Sequence, residues 1–526
     1  MAFQQVEVKG TLGLATDVNP KDLPPHVWTG GSGFNSDNGE TTRVSGATEL
    51  WPDEVLLEAP MFALAWNDGS NPTWLYGGDT KIHKISPSGN QQEMATGFNT
   101  QLVSSWQGDV FNGVAVMNNA VDAPVYTDSG TTMVPLIDWP VGQVAQVIRP
   151  FKNYLIALNI EDTVGGVDSP SMVHWSTPAD LGSIPLSWDV ADPAERSGKY
   201  ELADTPGVIL EGKALGDSFM VYKEDAVWAL DFIGGNDVFS FRKVFNDAGV
   251  ISKDCVVEFD GKHFVLTRED AYIHDGVQKK SLMTGVVSSY LDSIDITYYH
   301  RTQVVADHER HEILVYYVVS DTDNGLSNIA LTWNWDTEVW SVRELTDVAH
   351  MSEGVIDTEV SNVWGEEVPP GSVVGDTGTW NSDTSRWNFQ DGGLDQKRVM
   401  VCDYENSRFL QLNKGNTWAG VSYGTLLIRT GLDFDDDSTW KKVNAIYPHF
   451  KGDKGTVVNI SVGKEDSPGS GAFRFDPVRP FVIGEDYKVN VRTSGRNIAI
   501  AIASTEDALW TLTGYQAEWM PTRGKR

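Results

Sequence analysis

His300, His308 and His311 stand among Asp307, Glu309, Arg310 and Glu312, a set of residue types that could hold a divalent metal. Two histidines three apart can bind zinc from one face of a helix. Here His311 runs directly into the apolar run 312–319, which reads as a strand, so a solvated turn is expected and no metal site. Asp433-Phe-Asp-Asp-Asp-Ser-Thr439 has the acidic density of a calcium loop. An EF-hand needs Gly at its sixth position and Glu at its twelfth. Ser438 and Asn444 occupy those places, so an ordinary acidic turn is expected. The 73 acidic residues supply many accidental carboxylate pairs of the kind glycoside hydrolysis uses, which leaves that chemistry open. The sequence holds no Gly-rich phosphate loop and no Gly-x-Ser-x-Gly elbow. We therefore expect no catalytic residue, cofactor or metal.

Asp376-Thr-Gly-Thr-Trp380 and Ser382-Asp-Thr-Ser-Arg-Trp387 resemble the Ser-x-Asp-x-Gly-x-Thr-Trp turns of sialidase-type propellers. Neither is complete, and such turns are structural. Trp28, Trp175, Trp228, Trp333, Trp335 and Trp340 read as blade core or inter-blade packing, with a carbohydrate-stacking platform as the competing use.

The elements that must position these residues are strands. Residues 217–223, 226–232 and 238–244 are short β-branched and aromatic runs, separated by Glu224-Asp225 and by Gly234-Gly235-Asn236-Asp237. Residues 261–267 and 271–274 repeat the pattern around Arg268-Glu-Asp270, and 312–319, 328–335 and 339–343 form another meander. Such repetition predicts antiparallel sheets stacked radially or linearly. Nineteen Trp, 50 Gly and 23 Pro suit broad sheets packed face to face and a chain that turns often.

Cys255 and Cys402 alone exclude a disulfide framework, and a reducing cytoplasm is the expected place of assembly. The first ten residues show no basic segment leading into an apolar run, so no signal peptide is expected; no apolar run is long enough to span a bilayer. The net charge is −33, unevenly spread. Residues 441–526 hold 13 Lys/Arg and 9 Asp/Glu, leaving 27 basic and 64 acidic residues for 1–440. That field repels a phosphate backbone and argues against sequence-specific DNA binding. A solvated acidic surface is the plain alternative to any dedicated role.

Along the chain we expect an extended docking arm over 1–50 and propeller blades over 51–345, with a loop-rich insertion at 160–204. An insertion or irregular tip region follows over 346–440 and a β-sandwich-like unit over 441–526. Val458, Ile460 and Val462 share one strand face of that last unit, and Ile498, Ile500 and Ile502 another.

The arm Leu12-Gly-Leu-Ala-Thr-Asp-Val-Asn-Pro-Lys-Asp-Leu-Pro-Pro-His-Val-Trp28, followed by Gly33-Phe34-Asn35 and Arg43-Val-Ser-Gly46, resembles the opening of the tail nozzle proteins of short-tailed bacteriophages. These are also called tail hub, tail tubular B or packaged-DNA stabilisation proteins. The likeness recurs at 198–207, at 221–228, at 239–252, at His274-Asp-Gly276 and at 509–515 with the basic end 523–526; it fails over about 346–440. The resemblance implies an all-β, propeller-centred subunit, for which we expect six blades. It implies a homo-oligomer, a hexameric ring, below the portal-adaptor protein and beside tail fibre or tailspike proteins. Packaged double-stranded DNA would be held in, and later pass through, the ring without sequence-specific binding. The location implied is the virion's short tail, after synthesis in the host cytoplasm. Leu12, Leu14, Asp17, Leu23, Pro24, Pro25 and Trp28 are the expected interface of the arm, since prolines hold it extended and its apolar side chains need cover. The alternative is a carbohydrate-binding or carbohydrate-cleaving propeller acting on host-surface glycan; scarcity of Trp-Asp dipeptides weakens a WD-repeat scaffold.

Overall fold

The computed structural model describes residues 4–10, 12–69, 72–100, 106–164, 166–192, 194–235, 237–319, 324–356, 397–434, 438–466 and 471–522. The Pro369-Pro370-Gly371 segment, both sialidase-like turns, part of the acidic turn at 433–439 and the basic end 523–526 lie outside them. Strands dominate, and the helices described are the single 3-10 turns Ser288–Ser293 and Tyr299–Arg301. No helix among the described residues is long and apolar enough to cross a membrane.

The predicted meanders are present and form a propeller. Blades 1 to 5 are four-stranded antiparallel sheets covering 62–96, 107–135, 143–201, 209–245 and 256–281. Their hairpins use residues suited to left-handed turns. Asn112-Gly113 (φ 53 and 89) joins Phe111 to Val114, and Asp260-Gly261 (φ 45 and 67) joins Phe259 to Lys262. Positive φ at both central residues matches the right-handed twist of the flanking strands.

Blade 6 comprises Gln303–Asp307, Glu312–Tyr317, Ser327–Asn334 and the first half of the 17-residue strand Val339–Val355. The second half of that strand opens blade 7, followed by Lys397–Asp403, Arg408–Leu412 and, on the outside, Ala47–Leu50 from the other end of the chain. Asp347, with φ 53, marks the change of partner. The described sheets therefore give seven four-stranded units rather than the six expected. The extra unit is hard to read in sequence because it shares a strand with its neighbour and borrows another from residues 47–50. Pairing the chain's early strand with its late one closes the ring, and Trp74 Nε1 of blade 1 donates to the Val355 carbonyl of blade 7 at 3.0 Å.

Apolar layers bind each blade to the next. Met61, Trp66, Trp106 and Met117 join blades 1 and 2, and Phe111, Ile148 and Trp188 join blades 2 and 3. Phe151, Trp175, Trp228 and Phe239 join blades 3 and 4. Trp74, Tyr76, Met400 and Phe409 close blade 7 onto blade 1. Broad rings at these interfaces bury large areas with few rotatable bonds.

The β-sandwich is also present, but its boundaries differ from 441–526. One sheet takes Gln4–Lys9, Phe34–Asp37 and Glu40–Arg43 beside Trp440–Gly452, Val489–Gly495 and Trp510–Thr522. The other sets Gly30–Ser32 beside Thr425–Leu432, Asn497–Ser504 and Val457–Glu465. The described residues within 1–50 are thus not a separate arm. They supply strands to both sheets of the sandwich and the outer strand of blade 7, a pairing between distant parts of the chain that no local pattern reveals. The described parts of the 346–440 region likewise contribute blade 7 and a sandwich strand.

Candidate functional site

Three places bring chemistry-bearing residues together: the seam crossed by the N-terminal segment, the propeller axis, and a groove between blades 5 and 6.

At the seam the expected interface residues divide into two groups. Leu14 and Trp28 are buried, with backbone bridged to one another, and Trp28 Nε1 donates to Thr41 Oγ1 at 3.0 Å. Leu14 N donates to the Trp340 carbonyl of blade 6 at 2.9 Å. Gly13 (φ 46) permits this approach, since a Cβ there would stand 2.0 Å from Val339 Cγ1. Asp17 accepts from Ser288 Oγ at 2.7 Å and Ser289 N at 3.1 Å, and these bonds hold its carboxyl below the ordinary value despite partial burial. Arg429 of the sandwich donates to the carbonyls of Pro20, Leu23 and Pro24. Leu23 is half-buried, whereas Leu12, Pro24 and Pro25 stay exposed. The anchoring groups therefore dock on the chain's own propeller and sandwich.

Glu312 lies under the same seam. Asn35 Nδ2 donates to its Oε1 at 2.8 Å, while Oε2 has no hydrogen-bond partner. Burial, reinforced by Asp307 and Asp37, outweighs Arg343 and Arg310 and pushes its pKa up to about 7. A groove of about 470 Å³ opens beside it between Asn35, Arg43 and Arg310.

The axis was not anticipated. Blades 2, 3, 4, 6 and 7 contribute a polar side chain, Asp254 joins from the turn that precedes blade 5, and blade 1 contributes Phe62. Arg149 donates from Nε and Nη2 to both oxygens of Glu211 at 3.0 and 2.9 Å, from Nη2 to Asp254 Oδ1 at 2.9 Å and from Nη1 to Gln107 Oε1 at 3.0 Å. On the other side Gln303 Oε1 accepts from Tyr316 Oη at 2.6 Å and from His350 Nδ1 at 2.7 Å, and His350 packs on Phe62 with ring centres 4.6 Å apart. Burial opposes the Arg149 charge, yet Glu211, Asp254 and Asp109 together hold its pKa above the ordinary value. Burial with the nearby Arg149 charge lowers His350 to about 3. The arrangement ties successive inner strands by charge-assisted bonds and engages the axial carboxylates. No local pattern marks it, since Gln107 and Gln303 open strands that also carry Asp109 and Asp307.

The three clustered histidines separate. His308 Nδ1 faces Glu353 Oε2 at 2.8 Å and His311 Nδ1 faces Asp336 Oδ2 at 2.5 Å, while His300 is half-buried elsewhere. His311, with φ 56, sits in the turn expected there. Trp335 lies against His311 with ring centres 5.3 Å apart, in a groove of about 420 Å³ shared with Phe259, Asp260, Asp336 and Glu338. Trp28, Trp175, Trp228, Trp333 and Trp340 are buried, so packing accounts for them; Trp335 is the exception, partly open to this groove.

No family model matches the sequence, and no curated protein matches it. Among solved structures, the chain is similar to the computationally designed Ika8 protein, at 9% identity and TM-score 0.36 over 77% of this chain and 98% of that one. It is similar to PorZ, a surface component of the type-IX secretion system of Porphyromonas gingivalis, at 7% identity and TM-score 0.35 over 77% of this chain. It is also similar to the extracellular domain of BT4673 from B. thetaiotaomicron, at 8% identity and TM-score 0.41 over 90% of this chain. The chain spans 44% of the PorZ chain and 58% of the BT4673 chain. With TM-scores below 0.5, these likenesses carry no argument about what the chain does.

Proposed function

We propose that the chain is a structural subunit of a short-tailed phage virion, the tail nozzle: a ring below the portal adaptor that retains packaged DNA and forms the channel for its ejection. The observation that carries this reading is that the motifs resembling nozzle proteins pack against one another. Trp228 Nε1, in the 221–228 motif, donates to Thr205 Oγ1 of the 198–207 motif at 3.0 Å. Lys223 Nζ donates to the Leu202 carbonyl at 2.9 Å, and Val250 N of the 239–252 motif donates to the Lys223 carbonyl at 3.1 Å. A Cβ on Gly249 would stand 1.7 Å from the Glu224 carbonyl oxygen, so that junction requires glycine. Residues spread over 55 positions thus behave as one folded signature, which supports treating the resemblance as more than scattered coincidence. The acidic propeller fits a channel past which DNA slides, because it offers the duplex no counterion-release gain.

Electron imaging of particles carrying a tagged copy tests this. A tagged ring under the adaptor is expected, with DNA loss from particles assembled without the chain; a tag absent from particles that retain their DNA overturns it.

The carbohydrate reading rests on the Trp335 groove, where a partly open ring stands beside Asp260, Asp336 and Glu338. It requires saturable glycan binding that Trp335→Ala abolishes, and a glycan array with no hit removes it.

A further inference from the structure

Blade 3 carries an unusual outer rim. Val141, Val164, Val167, Leu186 and Val190 are exposed, between 41% and 95%, on loops that flank one groove. The loops are tied together: Ser187 Oγ donates to Asp138 Oδ2 at 3.0 Å, and Thr163 N donates to the Gly142 carbonyl at 2.8 Å. The groove, about 340 Å³, is floored by Ile160, Met172 and Trp188, and Lys199 stands on one wall. Trp188 Nε1 is buried there with no hydrogen-bond partner. Asp138, Asp162 and Asp189 line the groove, and Lys199 is the one cationic side chain among the described residues of its lining. Exposed apolar groups beside three carboxylates describe a docking surface for an apolar and basic segment.

The sandwich presents such a segment. Arg474–Phe475 and Arg479–Val482 pair with the strand Val457–Glu465, forming the edge of their sheet. Arg474, Phe475, Val478 and Arg479 are all exposed. Asp476, the acid between the arginines, is turned inward: its backbone N donates to the Val462 carbonyl at 3.0 Å and its carboxylate accepts from Thr493 Oγ1. What remains outward is two guanidinium groups flanking two apolar side chains on an open strand edge.

We propose that the blade 3 groove of one copy receives the 474–479 edge segment of the next copy. Phe475 or Val478 would cover the apolar floor, and the arginines would meet the carboxylates of Asp138, Asp162 and Asp189. The two surfaces are different parts of the chain, so the contact is heterologous, and repetition closes a ring or propagates a filament. Choosing the ring rests on the nozzle reading; the pairing rests on the two surfaces.

The purified chain, followed by mass photometry and sedimentation up to its solubility limit, tests the pairing. The wild-type chain should form oligomers that dissociate as salt rises. Val141→Lys with Val167→Lys, and separately Phe475→Asp with Arg479→Glu, should each give a monomer with unchanged circular dichroism. Mixing the two variants should give a one-to-one heterodimer and nothing larger, since each retains one intact half. Three outcomes overturn the pairing: oligomers that persist in either variant, a mixture that fails to pair, or a wild-type chain that stays monomeric with no maleimide cross-link between Val167→Cys and Phe475→Cys copies. Oligomers with the expected variant behaviour, from a chain absent from virions, would keep the pairing and remove the nozzle role; a virion ring with the 474–479 segment elsewhere would do the reverse.

Discussion

Tyr222 and His274 meet at 2.8 Å, Oη to Nε2, with His263 Nδ1 a further 2.5 Å from the same hydroxyl. The direction of every bond is fixed by the ends of the chain. Gly276 N donates to His274 Nδ1 at 3.1 Å, so His274 carries its hydrogen on Nε2 and donates to Tyr222. His263 Nε2 faces the Ala214 carbonyl at 2.8 Å and must donate, so its Nδ1 accepts from Tyr222. The relay links blades 4 and 5 through neutral groups in a buried layer.

Replacing Tyr222 by Phe keeps the ring and removes the link. A buried N–H on His274 and a buried acceptor on His263 are left unpaired, each costing about 1–3 kcal/mol. Tyr222→Phe should therefore lose about 2–6 kcal/mol, read as a lower urea midpoint with an unchanged slope. A midpoint equal to wild type would show that the two histidines find other partners.

The buried histidines also set an acid limit. Burial lowers His263 and His350 to about 3, and His174 and His274 to about 4, in each case against the ordinary 6.5. Between those values the unfolded chain binds more protons than the folded one, so stability is full above 6.5 and falls as pH falls toward the folded values. At pH 5 each histidine forfeits about 2 kcal/mol. Glu312, raised to about 7, works in the opposite sense: its burial costs stability as pH rises through 7 and returns about 3 kcal/mol on acidification to pH 4.5. Four histidines outweigh one carboxyl, so urea midpoints should decline from pH 7 to pH 5. A flat profile over that interval would mean that the histidines are solvated.

Local rules reached the strands and several of their turns, because Glu224-Asp225 and Arg268-Glu-Asp270 separate period-two runs that pair as hairpins, but the hairpin at Asn112-Gly113 lies inside a run that local pattern continues. They reached the inward fate of Trp28, Trp175 and Trp228 for the same reason. They did not reach the pairing of Gln4–Lys9 with Trp510–Thr522 or of Ala47–Leu50 with Arg408–Leu412, since register between distant strands is settled by the assembled core. The axial set of Gln107, Arg149, Glu211, Asp254, Gln303 and His350 was invisible for a related reason. Each residue looks unremarkable on its own strand and gains meaning only when seven inner strands converge.

Arg149 is the hub of that set. Arg149→Met leaves the Glu211 and Asp254 carboxylates facing one another in a buried site, and removing one partner of a buried ion pair costs about 3–5 kcal/mol. The thermal midpoint should fall, and adding Glu211→Met should recover part of the loss by removing one stranded charge. A double variant less stable than Arg149→Met alone would show that the hydrogen bond Glu211 accepts from Asp254 N, at 2.8 Å, matters more than its charge.

Deletion of residues 1–28 separates an arm that docks on a partner from one that belongs to the fold. An independent docking arm predicts a folded remainder that merely assembles poorly. The observed pairing predicts otherwise, because Gln4–Lys9 forms a ladder with Trp510–Thr522, while Val8, Leu14 and Trp28 lie in the shared core. Removing them exposes the Trp510–Thr522 strand, strips cover from Trp340 and Trp519, and frees Arg429 from three carbonyls. Trp28→Ala alone should cost about 3–5 kcal/mol through the cavity it leaves. The deletion should give a chain that aggregates or binds a hydrophobic dye, with protease cleavage concentrated in 425–522. A monomeric deletion product whose sandwich resists protease as well as the full chain would return the segment to the role of a separable arm.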